Sequence, residues 1–455
     1  MKKTLCILLA VLMITALFSG CGEPEPLRIV VDLEYSHTEY SWVSVEEAAK
    51  GFALRLAGAG GPTDVIIECI PGSFEGRTAR NGVLTNLKAE IMAGGGPDVF
   101  IMGCHSNNDG NPFFAMPEQA MANGLFLPLD EYIEDHAQFT DWDKLQPQVM
   151  EAGRDAYGQQ IVPVSYTLPL TVFREEDVPQ KYPKETTWQD MLDDKTGVLS
   201  AASTWYHANE TMFSCHEGAY LENLLGPLAD YNSDELLFTE DELLQCTLEV
   251  LEQQKRYRKG EFANVSPHYQ MQLCVNYDLS ASNETYSWAE GMNPYNGIMR
   301  RDALTMIPLY SRDGGVTATV ASYAAVNVNT KRPEDAFAVI DYLLSPEEMQ
   351  CSLLGWNWLY ENAVPTHMDA MSTALPIVEK SFGTSVWFMS EENFEEFSRV
   401  REQITHARFR GGLDWELDDL YMSCQGGYVY DMKMARPIEE YVHEYYRRMQ
   451  RMLGE

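Results

Sequence analysis

"LKAEIMAGGGPDVFIMG" (residues 87–103) places three glycines between a run with helical spacing and an apolar run. Glycine triplets occur in phosphate-binding loops, so the direction of reading decides the fold. Leu84, Leu87 and Ile91 share one helical face, which predicts a helix over 78–94. Glycine supplies the positive φ that follows a helix C-terminus, and Pro97 stops the helix from continuing. "PDVFIMG" (97–103) then predicts a buried strand. A phosphate loop runs the other way, from strand through glycines to a helix N-terminus, with Lys and Ser or Thr following. Neither that order nor that lysine is present. Gly94, Gly95 and Gly96 are read as a turn, not as a nucleotide cradle.

Outward from this turn the same alternation repeats. "LRIVVDL" (27–33) and "DVIIECI" (64–70) predict strands, and "VSVEEAAKGFALRLAG" (43–58) a helix between them. Strand, helix, strand, helix, strand at this spacing argues for a parallel α/β lobe. "GLFLPLDEYIE" (124–134) predicts a turn and a short helix. "AYGQQIVPVSYTLPLTVF" (156–173) is extended and broken by prolines, as expected of a chain crossing between lobes. Helices are predicted at 186–194, with a Thr cap, and at 239–260. A strand is predicted at 271–280, an extended run at 314–329 and a continuous helix over 331–355. The last hundred residues read as mainly helical. There is no internal repeat, and no Walker, GxSxG or HExxH motif.

The N-terminus addresses the compartment. Lys2 and Lys3 precede an apolar run from Leu5 to Phe18, closed by Ser19-Gly20-Cys21. This is a signal-peptide layout, too short for a transmembrane helix. The small pair before Cys21 resembles a bacterial lipobox, with Phe18 where Leu is preferred. Residues 1–20 are thus expected to be a lipoprotein signal peptide, Cys21 the lipidation site and 21–26 a tether. An ordinary secretory peptide with an incidental Cys21 is the plainer alternative. The net charge of −35 repels nucleic acid and anionic lipid heads. It suits a soluble body held above a membrane by its lipid. Cys69, Cys104, Cys215, Cys246, Cys274, Cys351 and Cys424 are scattered, with no CxxC and no zinc-finger spacing to His. They read as small core hydrophobes, with one disulfide left open. The length exceeds one usual core, so two lobes are expected.

Several landmarks, in order, resemble the extracellular solute-binding proteins of ABC transporters, in the group that mostly binds sugars. They are "LKAEIMAGGGPDVFIM", the crossing "YGQQIVP", the helix start "TTWQDML", the return "GGVTATVASYAAVN", the helix "RPEDAFAVIDYLLSPEEMQ" and "NAVPTH". The region "YQMQLCVNYDLSASNETYSW" departs from the family's usual ligand loop. The resemblance implies an α/β, two-lobed, periplasmic-binding-protein-like fold of type II, with hinge-linked lobes and a ligand cleft between them. The N-lobe is expected at 27–163 plus 308–358, and the C-lobe at 164–307 plus 359–455.

Parallel α/β lobes bind ligands at the carboxyl ends of their strands. That rule selects Glu34 and Tyr35 after the first strand, and Cys104-His105-Ser106 after the third. Sugars need flat aromatic platforms and paired hydrogen bonds to carboxylates or amides. The candidates near presumed crossings and loops are Tyr166, Trp205, Trp288, Tyr323, Trp356 and Trp358, with Tyr206 and Tyr286 beside them. With 9 Trp and 24 Tyr, most aromatics must pack a core, and Trp188 is read as structural. Trp356 and Trp358 point oppositely if extended, which leaves one for the cleft. Asp98 is read as fold-making. "HSNNDGNPFFAM" (105–116) faintly echoes a calcium loop, but His105 and Met116 stand where carboxylates are required. The two "NET" sequons match a glycosylation pattern only.

The resemblance implies a lipid-anchored receptor on the extracytoplasmic face of a bacterial membrane. It would capture a carbohydrate, an oligosaccharide in the first instance, by lobe closure and deliver it to permease subunits. No cofactor, metal or nucleic acid is expected, and a monomer is. An extracellular glycoside hydrolase with two opposed carboxylates is the enzymatic alternative. A sensor subunit passing occupancy to a membrane receptor is a third.

Overall fold

The computed structural model describes residues 25–33, 45–71, 73–103, 112–178, 180–194, 197–203, 221–262, 269–272, 303–349, 364–370 and 390–454. The N-terminal third runs β1 (Leu27–Asp32), α1 (Val45–Gly58), β2 (Val65–Cys69), α2 (Ser73–Met92), β3 (Val99–Gly103), α3 (Pro117–Ala122), α4 (Asp130–His136) and α5 (Pro147–Met150). A hairpin of β4 (Arg154–Asp155) and β5 (Gly158–Gln159) leads to β6 (Ile161–Thr167) and β7 (Pro169–Arg174). Next come α6 (Trp188–Asp193), α7 (Val198–Ala202), α8 (Leu221–Leu225), the hairpin β8 (Ala229–Asp230) and β9 (Glu235–Leu236), and α9 (Glu240–Arg258). The chain continues through β10 (Tyr269–Gln272), β11 (Leu304–Pro308), β12 (Val316–Val326) and α10 (Pro333–Leu343). It closes with β13 (Val364–Pro365), α11 (Glu391–Arg401), β14 (Ile404–Phe409), α12 (Gly412–Tyr428) and α13 (Ile438–Leu453).

Among the described residues the largest sheet has the order β13-β6-β12-β3-β1-β2, with β14 also on β12. β1, β2 and β3 are mutually parallel, and β12 returns antiparallel to β3 and β6. Helices cover both faces, which is why these strands read as nearly continuous apolar runs. Ile29, Val31, Val99 and Ile101 pack with Phe52 and Leu56 of α1 and with Phe337 and Ile340 of α10. Their neighbours Val30, Phe100 and Met102 point the other way, against Leu84 and Leu87 of α2 and Met121 of α3. A second sheet, β10-β7-β11, is antiparallel.

The glycine triplet does what its direction implies. Gly94 and Gly96 have φ of 80° and 102°, and Gly95 N bonds back to Glu90 O at 3.0 Å, closing α2. A Cβ on Gly96 would lie 2.8 Å from Ile91 Cγ1. Gly96→Ala is therefore expected to cost more than about 1 kcal/mol, read as a lower urea midpoint at unchanged slope. Asp98 then fixes the strand: its carboxylate accepts from Arg28 N (2.8 Å) and Thr330 Oγ1 (2.6 Å). Asn327 Nδ2 donates to Gly95 O and Pro97 O, tying the turn to the end of β12.

Thr187 and Thr239 cap α6 and α9, each in a reciprocal capping box. Trp188 is buried, its indole donating to Glu249 at 2.9 Å. The helix expected over 331–355 is shorter: α10 stops at Leu343, and Ser345 Oγ accepts from Glu348 N at 3.2 Å. Pro346 is the reason, since it opens a new turn more easily than it continues an old one. The strand expected over 271–280 is described only to Gln272, in β10. Cys69, Cys246 and Cys424 are free thiols; Cys104, Cys215, Cys274 and Cys351 lie outside the described residues. Among the described residues no helix is long and apolar enough to cross a membrane. The leader and Cys21 lie outside them.

Candidate functional site

The carboxyl ends of β1, β2 and β3 form one edge of the large sheet, and a buried ion pair closes it from below. Asp32, the last residue of β1, and Arg80 on α2 are 1 % and 3 % exposed. Arg80 Nη1 and Nη2 donate to Asp32 Oδ1 and Oδ2 at 2.7 and 2.8 Å, a two-pronged fit specific to guanidinium and carboxylate. Nη1 also donates to Pro71 O (3.0 Å), just beyond β2, and Phe113 N donates to Asp32 Oδ2 (3.2 Å). One carboxylate thus gathers the ends of β1 and β2, the side of α2 and the chain returning after β3. Two charges removed from water are tolerated only because each satisfies the other. The pair makes a rigid floor whose charge is internally cancelled.

Glu34, Tyr35 and His105 follow directly from this floor but lie outside the described residues. So do Trp205, Trp288, Trp356 and Trp358. Sequence reasoning missed Asp32 and Arg80. An acid ending the apolar run "LRIVVD" was the available signal for the first. Nothing local marks Arg80, which is one charged residue on a mostly polar helix.

The two sheets are joined by crossings that lie side by side. β6 passes into β7 at Leu168, and β11 returns to β12 through a hairpin in which Tyr310 bridges Val316. Leu309 N bonds Pro169 O at 3.0 Å, coupling the crossings. The Ser165 and Ser322 hydroxyls meet at 2.7 Å, and Thr167 Oγ1 donates to Thr319 O at 3.5 Å. Tyr166 and Tyr323 stand in these strands, and both are buried. Burial pushes the Tyr166 phenol up to about 12, with the Arg401 guanidinium opposing the shift. Tyr323 meets Phe409 edge-on, ring centres 5.2 Å apart. The two tyrosines therefore belong to the packed joint between the sheets, and offer no open face to solvent in this conformation.

No protein-family model and no curated protein matches the sequence. Solved structures do. The chain is similar to an extracellular solute-binding protein family 1 from Alicyclobacillus acidocaldarius subsp. acidocaldarius, at 12% identity and TM-score 0.52, over 95% of this chain and 100% of that one. It is similar to the sugar-binding protein MalE from the phytopathogen Xanthomonas citri, at 13% identity and TM-score 0.54, over 94% and 97%. A periplasmic oligogalacturonide binding protein from Yersinia enterocolitica matches at 14% identity and TM-score 0.51, over 94% and 98%. Nearly end-to-end coverage of both partners, with two sheets joined at paired crossings, gives this chain the two-lobed fold of the extracellular solute-binding proteins.

Proposed function

We propose that this protein is the extracytoplasmic binding component of an ABC importer and captures a neutral oligosaccharide. The observation that carries this reading is the pairing of two sheets through adjacent crossings, with a built, charge-cancelled floor at the carboxyl ends of β1 to β3. Such crossings let one lobe close on the other, and ligand and closed form then stabilise each other. The N-lobe is taken as 27–163 with 308–358, and the C-lobe as 164–307 with 359–455; β13 and β14 reach back to pair with β6 and β12. Glu34, Tyr35 and His105 are the polar side of the cleft, and Trp205, Trp288, Trp356 and Trp358 the aromatic platforms. Tyr166 and Tyr323 support the cleft from behind.

Two of the similar structures are named for sugar ligands, one of them an acidic oligosaccharide. Here the floor's guanidinium is already held by Asp32 and Pro71 O, so it is not offered to a uronate. Titration calorimetry against maltotriose, mannotriose and trigalacturonate should give binding of a neutral trisaccharide and none of the acid. Incubation should leave the sugar intact. Release of shorter products would replace this reading with a hydrolase, and preference for trigalacturonate would overturn the neutral-ligand claim. Anchoring through Cys21 predicts that Cys21→Ala sheds the protein from the membrane fraction; full retention would refute it.

A further inference from the structure

A second concentration of polar groups lies at the joint, away from the floor. β14 carries Arg408 and Arg410 inward, both under 10 % exposed. Against them α12 sets Asp414 and Asp418, α8 sets Glu222 and α3 sets Glu118. Arg408 contacts Asp414, and its Nη2 lies 3.4 Å from Glu222 Oε1. Arg410 Nη2 lies 2.5 Å from Asp418 Oδ2. Asp414 also caps α12 by accepting from Gly411 N at 2.8 Å. Glu118 as a whole is half-buried, with its carboxyl turned inward to accept from Phe409 N at 3.1 Å. Four carboxyls therefore face two guanidiniums. Asp414 and Asp418 use the guanidiniums most closely, which leaves Glu118 and Glu222 in surplus.

These groups surround a cavity of about 310 Å³. One wall comes from the body built on the large sheet, at Glu118 and residues 152–156. The opposite wall is the loop 226–232, which carries Asp230 and Tyr231 and follows α8. Thr317 of β12 and His406 to Phe409 of β14 line it between them. Thr317 Oγ1, Glu222 Oε2 and Arg408 Nε are buried without a hydrogen-bond partner. Unsatisfied groups beside a polar cavity are a site for water, whose entry costs little once the walls part. Arg154 at the rim is held by Asp130, and Asp155 by Tyr157 N. Among the described residues no trio of acids, His or Cys is arranged to hold a metal.

We infer that this joint is a proton-gated latch: with Glu118 and Glu222 protonated the walls pack on β14, and ionisation of Glu118 draws in water and loosens them. The physical cause is the surplus. A carboxylate without its own cation in a dry joint costs several kcal/mol, which hydration relieves. Burial pushes Glu118 up to about 7, opposed by its hydrogen bond from Phe409 N and by Arg408. Burial and the nearby Asp418 charge push Glu222 well up. Burial also raises the Tyr231 phenol, so it stays neutral beside them. Glu118 is thus the group that changes state near neutrality, and it is the one reaching across from α3.

Hydrogen exchange on the ligand-free full chain tests this without any sugar. Protection of the 404–413 segment, corrected for intrinsic exchange, should fall about tenfold between pH 6 and pH 8. Small-angle scattering should show the molecule expanding over the same range. In Glu118→Gln both should be flat, and in His406→Gln, which removes the imidazole at the cavity mouth, both should persist. Flat protection in the unaltered protein would overturn the proposal. So would a fall that survives Glu118→Gln or vanishes with His406→Gln.

Discussion

Replacing Arg80 by Ala should destabilise the protein by about 3–5 kcal/mol, the usual cost of removing one partner from a buried ion pair. The cost is not the lost attraction alone. Asp32 would stay 1 % exposed with only Phe113 N among its described donors, and Pro71 O would lose a donor as well. Arg80→Lys should recover part of the stability, because it returns the charge but not the two-pronged fit to Oδ1 and Oδ2. Arg80→Ala with Asp32→Ala should be less damaging than Arg80→Ala alone, since no buried charge is left behind. Urea denaturation of the three variants measures this ordering. Equal losses in all of them would show that the floor is held by packing and not by the pair. Sugar affinity should fall with the floor's rigidity, and should fall in Arg80→Lys even where stability is largely kept.

Glu118→Gln should do the reverse and stabilise the protein, by up to about 3 kcal/mol at pH 8, with the gain shrinking to nothing toward pH 4.5. In the folded chain this carboxyl titrates at about 7 against a model value of 4.5. Between those values the native state holds a proton that the unfolded chain has released. Stability therefore declines as pH rises through that window and levels off above it, by about 1.4 kcal/mol for each unit of difference. Gln has no proton to lose and keeps Oε1 to accept from Phe409 N. Urea midpoints of the two proteins from pH 4.5 to 8.5 should diverge steadily and then run parallel. A constant offset would mean that the carboxyl is solvated.

The alternation from residue 27 to 103 was legible because its causes are local. Strands β1 to β3 alternate their side chains onto two faces, and α2 ends where Gly94 and Gly96 take positive φ. Thr187 and Thr239 act on backbone groups three residues away. The break at Ser345-Pro346 was also local, yet the strong apolar periodicity on either side of it hid it. The cleft was less legible. Strand ends could be located, and with them Glu34, Tyr35 and His105, whereas the choice among aromatics could not be made from spacing. Tyr166 and Tyr323 illustrate why: being near a crossing does not say which face of the strand a side chain takes.

By itself, then, the sequence determined a parallel α/β unit, its turns and caps, the crossing at 156–173 and the likeness to two-lobed binding proteins. Those features follow from backbone sterics and hydrophobic period over a few residues, where the chain has little choice. Only the tertiary structure decided that Asp32 meets Arg80 across 48 residues, that β14 docks on β12, and that Glu118 faces Arg408 at a joint between sheets. Each of these depends on which charges folding removes from water together. Burial, and not the residue type, turns an ordinary glutamate into a group that titrates near neutrality.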